Sequence, residues 1–282
     1  ATVISLATTL PELTITVLGM SQNSNDLVVG NAFGTILVNI CLVLGLSLCF
    51  MSLKRVNRQT QSKLLFMSIM VLILGILTIL NFLNVYVGIT FIIIFLFYFI
   101  KTFNDIKKDL IRKENIDAEN PVEKPKATTQ EKVISVIKFL VGMLLIFAGA
   151  QIVINCSEQI STKLNISASF IGIIFVGIGT SLPELITSII SIKSKRLNFA
   201  LGNVIGANII NLTLLFGLAM ITNNATTIAL SLHDIFTMLP AVIISTLILA
   251  VPILIKKRTY KWQGYTLISL YAIYCIIIIL TL

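Results

Sequence analysis

Nine apolar runs, each close to the length that crosses a lipid bilayer as a helix, dominate this chain. They fall at about residues 1–20, 27–52, 63–82, 85–103, 133–156, 166–192, 200–222, 233–255 and 262–282. Little is left between them. Of 282 residues, 56% are hydrophobic and 12% carry charge, against about a quarter charged in a soluble domain. One globular core could not hide that much apolar surface. The expected fold class is therefore an all-α polytopic membrane protein. The second and sixth runs are long and interrupted, so bent or broken helices are expected there.

The net charge of +9 does not point to nucleic acid, because the basic residues lie in short clusters between apolar runs. Their placement gives an orientation instead. Lys54, Arg55, Arg58 and Lys63 follow the second run, nine more fall from Lys101 to Lys138, Lys193, Lys195 and Arg196 follow the sixth run, and Lys256, Lys257, Arg258 and Lys261 follow the eighth. The alternate loops carry only Lys163. Cytoplasmic loops hold the excess of Lys and Arg, so the central polar segment is expected in the cytoplasm and Leu282 outside. That segment, residues 105–131, has charges, prolines and no apolar period. It reads as a cytoplasmic linker between residues 1–104 and 132–282, too short for a folded regulatory domain. The four cysteines lie in apolar segments without metal-binding spacing.

The two flanking parts are copies. Ala7-Thr8-Thr9-Leu10-Pro11-Glu12-Leu13 matches Gly179-Thr180-Ser181-Leu182-Pro183-Glu184-Leu185. At the same offset, and with no gap, Gly30, Asn31, Gly34, Asn39 and Gly45 match Gly202, Asn203, Gly206, Asn211 and Gly217. By the loop charges, the helix with Glu12 runs from inside to outside and the helix with Glu184 from outside to inside. This is an inverted-topology repeat. Inversion needs an odd number of spans per copy. The second copy has five and the first shows four, so the expected architecture is 5+5 helices, with a first helix and its loop preceding Ala1.

Of the acidic residues, only Glu12 and Glu184 lie deep inside apolar runs. A carboxylate in hydrocarbon costs several kcal/mol and commonly marks an ion or proton path. No Lys, Arg or His stands in a span to neutralise the pair. Pro11 and Pro183 each remove one N–H and clash with the carbonyl four residues back, that of Ala7 or Gly179. Irregular backbone at membrane depth survives only where protein or a watery cavity covers it. Thr8, Thr9, Thr180 and Ser181 add hydroxyls at the same break. Carboxylate, carbonyl and hydroxyl oxygens are hard ligands, suited to Ca²⁺ and Na⁺. Asn39 and Asn211 follow their glutamates at equal spacing, each on the next helix, and are either ligands or interhelical hydrogen-bond glue. The GxxxG pairs read as points of close helix approach, Asn31 and Asn203 as caps of broken helix ends, and His233 as a helix-end or surface residue. No Ser/His pair, Asp pair or HExxH is present in the spans, so an intramembrane enzyme is not expected.

Two LPE blocks, each followed by GNxxGxxxxN, resemble the alpha repeats of the sodium/calcium exchanger family, in the wider calcium/cation antiporter superfamily. The resemblance spans nearly the whole chain and implies exchange of Na⁺ for Ca²⁺ without a cofactor, while the lack of a large regulatory loop and the Ile/Lys/Asn-rich composition suggest a prokaryotic member in a cell membrane. It implies that Glu12 and Glu184 bind Ca²⁺ and share the Na⁺ sites. The backbone carbonyls of Thr8 and Thr180 would complete the Ca²⁺ shell, and the hydroxyls of Thr9 and Ser181 would serve Na⁺. The backbone oxygens of Ser5 and Gly177 match outlying Na⁺ positions, and Asn39 and Asn211 would line the centre. Thr35 stands where relatives commonly have serine. Ala207, at the equivalent place, has no hydroxyl, which implies a changed Na⁺ site. Asn211 stands where potassium-dependent relatives have Asp, which implies K⁺-independence. The alternatives from the residues are a proton/calcium antiporter and, in a different class, a cation channel.

Overall fold

The computed structural model describes residues 2–22, 24–119, 129–164, 166, 168–222 and 232–281, and these are almost entirely helical. The first apolar run forms α1 (Thr2–Thr8) and α2 (Leu10–Ser21), and the second forms α3 (Asn25–Val38) and α4 (Gly45–Phe50). The third and fourth form α5 (Arg58–Ile79) and α6 (Val85–Glu119), and the fifth forms α7 (Thr129–Leu164). The sixth is divided into α8 (Ala168–Ile171), α9 (Gly177–Thr180) and α10 (Leu182–Lys193). The seventh forms α11 (Leu197–Ile210) and α12 (Phe216–Thr222), and the last two form α13 (Leu232–Lys256) and α14 (Lys261–Thr281). Among the described residues, six helices are long and apolar enough to cross a membrane, or seven if the bent pair around Ser181 is one span. The molecule is a membrane protein.

Two expectations need correction. The helices flanking the central segment run past the expected edges at 103 and 133: α6 continues to Glu119, and α7 begins at Thr129. No Gly or Pro interrupts residues 104–119, and Lys, Arg and Glu are good helix formers, so a helix begun in the apolar part simply continues toward Pro121. Residues 120–128 lie outside the described part. The second run, expected to be bent or broken, keeps its helical course through Leu27–Phe50. Its irregularity is a π-helical segment, Asn39–Leu44.

Burial shows which helices are central. The span Leu27–Phe50 is 78% buried and Leu197–Ile221 is 83% buried, against 28% for Val85–Asp105. The outer helices turn Leu65, Ile69, Ile76, Phe97 and Ile255 outward, as lipid-facing surfaces require. Contacts repeat at the offset found in the sequence. α1 packs on α11, as α9 and the π segment before it pack on α3. α2 meets the π segment Asn211–Leu215, and α10 meets the one at Asn39–Leu44. α5 packs on α11 and α13 on α3, while α4 packs on α14 and α12 on α6.

The basic loops gather at one end. The Val56 N–H donates to the Lys257 carbonyl (2.7 Å), and the Thr259 N–H donates to the Leu53 carbonyl (3.0 Å). The Asn57 N–H donates to the Asn198 Oδ1 (3.2 Å). The Asn57 side chain caps α5 by accepting from the Thr60 N–H, the usual work of Asn at that position. Inside α13, Pro252 has no N–H for the Ile248 carbonyl, and the Gln263 Nε2 of α14 donates to it instead (2.8 Å).

A buried oxygen-lined candidate site

The two helix breaks that frame the site are near duplicates. Thr9 has φ −84° and ψ 1°, and Ser181 has φ −79° and ψ 1°. Both lie in the bridge region, where turn and active-site residues are commonly found. Each is followed by a helix with proline in its first turn, where the missing N–H costs nothing. The axis bends by 48° at Ser181. Each glutamate is thereby held in the first turn of its second half-helix, where the helix dipole favours negative charge.

Glu12 and Glu184 are completely buried. The two carboxyls are close enough to repel each other directly. The Thr8 hydroxyl lies beside Glu184, but none of the four carboxyl oxygens is in hydrogen-bonding geometry with a described residue. Such groups are rare in folded proteins, because each unpaired buried polar atom costs about 1–3 kcal/mol and a charged one more.

Further buried oxygens lie on these helices and on the π segments that pack against them. Asn211 is fully buried, and among the described residues neither its Oδ1 nor its Nδ2 has a partner. The Ser181 hydroxyl and the Asn39 Oδ1 are buried and unpaired in the same sense. The Asn39 Nδ2 donates to the Asn208 Oδ1 (2.9 Å), which joins the two copies. Both π segments begin at these asparagines, Asn39 and Asn211. Wide turns of this kind often mark functional positions.

Other expected residues are already engaged. The Thr9 hydroxyl donates to the Ser5 carbonyl (2.6 Å), so both atoms are satisfied within α1 and its end. The Ser5 hydroxyl donates to the Asn203 carbonyl (2.8 Å). The Thr180 and Thr35 hydroxyls share a contact of 3.3 Å. The Gly177 carbonyl accepts from the Ser181 N–H (3.2 Å). Close backbone approach also occurs at glycines outside the GxxxG pairs. A Cβ on Gly172 would meet the Leu27 carbonyl at 2.7 Å, and one on Gly177 would meet the Gly34 carbonyl carbon at 2.9 Å.

Asn31 and Asn203 are not caps. Both are fully buried inside continuous helices, α3 and α11. The Asn31 Oδ1 accepts from Thr180 (3.4 Å), and the Asn203 Nδ2 donates to Thr187 (3.3 Å). They tie the broken helices to the central ones. Asn208 is the polar residue that the motifs passed over. Its repeat equivalent is Ile36, so a search along the offset skips it. The available signal was an asparagine in an otherwise apolar run. His233 falls at the start of α13, and its side chain is outside those described.

The family profile described as sodium/calcium exchanger protein matches residues 1–103 and 134–280. The chain belongs to the sodium/calcium exchanger family. It is 29% identical over 279 residues to an uncharacterised membrane protein of Methanocaldococcus jannaschii, covering 97% of this chain and 83% of the relative. It is 32% identical over 133 residues to a sodium/calcium exchanger of Methanosarcina acetivorans, covering 47% of this chain and 37% of that one. A solved structure of a sodium-calcium exchanger soaked with Na⁺ and Ca²⁺ superposes with a TM-score of 0.68 at 25% identity, covering 96% of this chain and 83% of the other. Family membership and this match agree with a prokaryotic cation exchanger of the calcium/cation antiporter superfamily.

Proposed function

We propose that this protein is a secondary antiporter that exchanges Na⁺ for Ca²⁺, independently of K⁺, at a single site between Glu12 and Glu184. One observation carries the reading. Two fully buried carboxyls stand at equivalent repeat positions, and among the described residues none of their oxygens has a hydrogen-bond partner. Ionised, the pair holds −2. That balances one Ca²⁺ or two Na⁺ but not both loads together, so competition for the same oxygens couples the two fluxes. A site left with −2 resists crossing between states, which suppresses leak. Asn39, Asn211 and Ser181 offer neutral oxygens to complete the shell, together with the hydroxyl or backbone oxygens of Thr8, Thr9, Thr180, Ser5, Gly177 and Thr35.

The halves 1–104 and 132–282 form an inverted-topology pair joined by the cytoplasmic segment 105–131. The exchange of contacts at the repeat offset supports that reading, and so does the clustering of basic loops at one end. Alternating access follows from rocking one set of helices against the central bundle around a fixed site. The test is ⁴⁵Ca²⁺ uptake into liposomes holding the full native protein. An outward Na⁺ gradient should drive saturable uptake, with no unitary conductance and no requirement for K⁺. Uptake driven by a pH gradient and indifferent to Na⁺ would overturn the assignment.

A further inference from the structure

We infer that Thr16 and Ser188 are oxygen relays for the transported cation, one on each side of the glutamate pair. The inference rests on the proposed exchange site and its inverted topology. Thr16 and Ser188 are repeat equivalents, separated by the same offset as Glu12 and Glu184. Each lies four residues after its glutamate, within the same helix, α2 or α10. Positions i and i+4 share a helix face, about 6 Å apart along the axis. Each hydroxyl is therefore stacked one turn beyond a carboxyl.

Both are buried, at 0% and 1% exposure, and among the described residues neither hydroxyl has a hydrogen-bond partner. That is unusual for a Ser or Thr in an apolar helix, where the hydroxyl commonly donates to the carbonyl four residues back. Elsewhere in this chain that bond is made. Thr14 donates to Leu10 (2.7 Å), Ser47 to Val43 (2.7 Å), Thr78 to Leu74 (2.7 Å) and Thr213 to Ile209 (2.6 Å). For Thr16 and Ser188 the carbonyls four back are those of Glu12 and Glu184, and both hydroxyls leave them. Thr246 is also buried and unpaired, but Leu74 stands at its equivalent position. Thr16 and Ser188 keep the same unsatisfied group in both copies.

A purely structural hydroxyl would be paired or replaced by an apolar group, since an unpaired one destabilises the fold. Facing the carboxylate column, it has a use. A cation leaving two carboxylates for water exchanges its ligands one at a time. A neutral oxygen one turn away takes a place in the shell without holding the ion. Because the two helices run in opposite directions through the membrane, Thr16 serves the outer step and Ser188 the inner one.

The experiment uses right-side-out and inside-out membrane vesicles with the full native protein, measuring the half-saturating Ca²⁺ of Na⁺-driven exchange at each face. Thr16→Val should raise the outer value roughly three- to tenfold, the worth of one neutral hydrogen-bonding group, and leave the inner value unchanged. Ser188→Ala should do the reverse. Thr16→Ser, which keeps the oxygen, should match the wild type, and Thr16→Ala gives a second reading if Thr16→Val inserts poorly. Equal effects at both faces, or none, would overturn the inference. The wild type and Glu12→Gln are run first. Absent Na⁺-driven uptake in the wild type defeats the exchange site itself, whereas normal uptake with unchanged Thr16→Val and Ser188→Ala defeats only the relay.

Discussion

An ionised Glu12 or Glu184 inside a membrane would cost about 3 kcal/mol each even on lenient scales. Among the described residues none of their carboxyl oxygens has a hydrogen-bond partner, so the proposed bound cation is the natural compensation. Two outcomes follow at this scale. Glu12→Gln and Glu184→Gln should abolish Ca²⁺ exchange while the protein still inserts and folds. In thermal denaturation in detergent, Ca²⁺ at a hundred times its Kd should stabilise the wild type by about 2.7 kcal/mol and leave both variants unmoved. A wild-type-sized Ca²⁺ shift in either variant would remove that glutamate from the site. Asn211 is the second residue to probe. Its whole amide is buried and unpaired among the described residues, so Asn211→Asp adds a third carboxyl beside the pair. The variant should favour a heavier cation load, seen as altered dependence of uptake on Na⁺, K⁺ and Ca²⁺. An unchanged dependence would count against placing Asn211 at the centre.

The elements carry the site because they approach one another closely, and two glycines measure that. A Cβ on Gly34 would strike the backbone of Ile173, while one on Gly206 would meet the Ser5 hydroxyl at 2.6 Å. Backbone cannot yield, but a serine rotamer can. Gly34→Ala should therefore lower stability by about 2–3 kcal/mol, near the upper end for overpacking, and Gly206→Ala by distinctly less. Melting curves of the two purified variants check the order, and a reversed order would mean that α3 and the Gly172–Val176 segment are not in contact. The close approach was legible in the Gly30/Gly34 and Gly202/Gly206 spacing, and the glutamates in their isolation among apolar residues. The π segments were not, because hydropathy does not distinguish a wide turn from an α turn. The helical run to Glu119 escaped for a related reason: polarity alone resembles a linker, while helix propensity without Gly or Pro resembles a helix. Asn31 and Asn203 were misread because capping is the commonest local use of asparagine. Their true partners, Thr180 and Thr187 or Ser5, become neighbours only through tertiary packing or helix geometry.

At the scale of the whole molecule, the proposed mechanism needs the two halves to face opposite sides of the membrane. Were they parallel, Thr16 and Ser188 would lie on the same side of the carboxyls, and one site could not be approached equivalently from both surfaces. The basic loops supply the test. Loops 51–57 and 257–260 and the 194–198 segment that enters α11 are joined by backbone and side-chain hydrogen bonds at one end, and Lys or Arg is present in all three. The α5–α6 turn at Asn81, by contrast, is exposed and lies a full span away from Arg58. In a background lacking Cys41, Cys49, Cys156 and Cys275, single cysteines at Asn57, Lys195 and Lys257 should react with a membrane-impermeant maleimide only in inside-out vesicles. A cysteine at Asn81 should react only in right-side-out ones. Because Asn57 follows the Glu12 block and Lys195 follows the Glu184 block after different numbers of crossings, their labelling from the same face is possible only if the blocks enter the membrane in opposite senses. Labelling of Asn57 and Lys195 from opposite faces would make the repeat parallel and remove the two-sided access on which exchange depends.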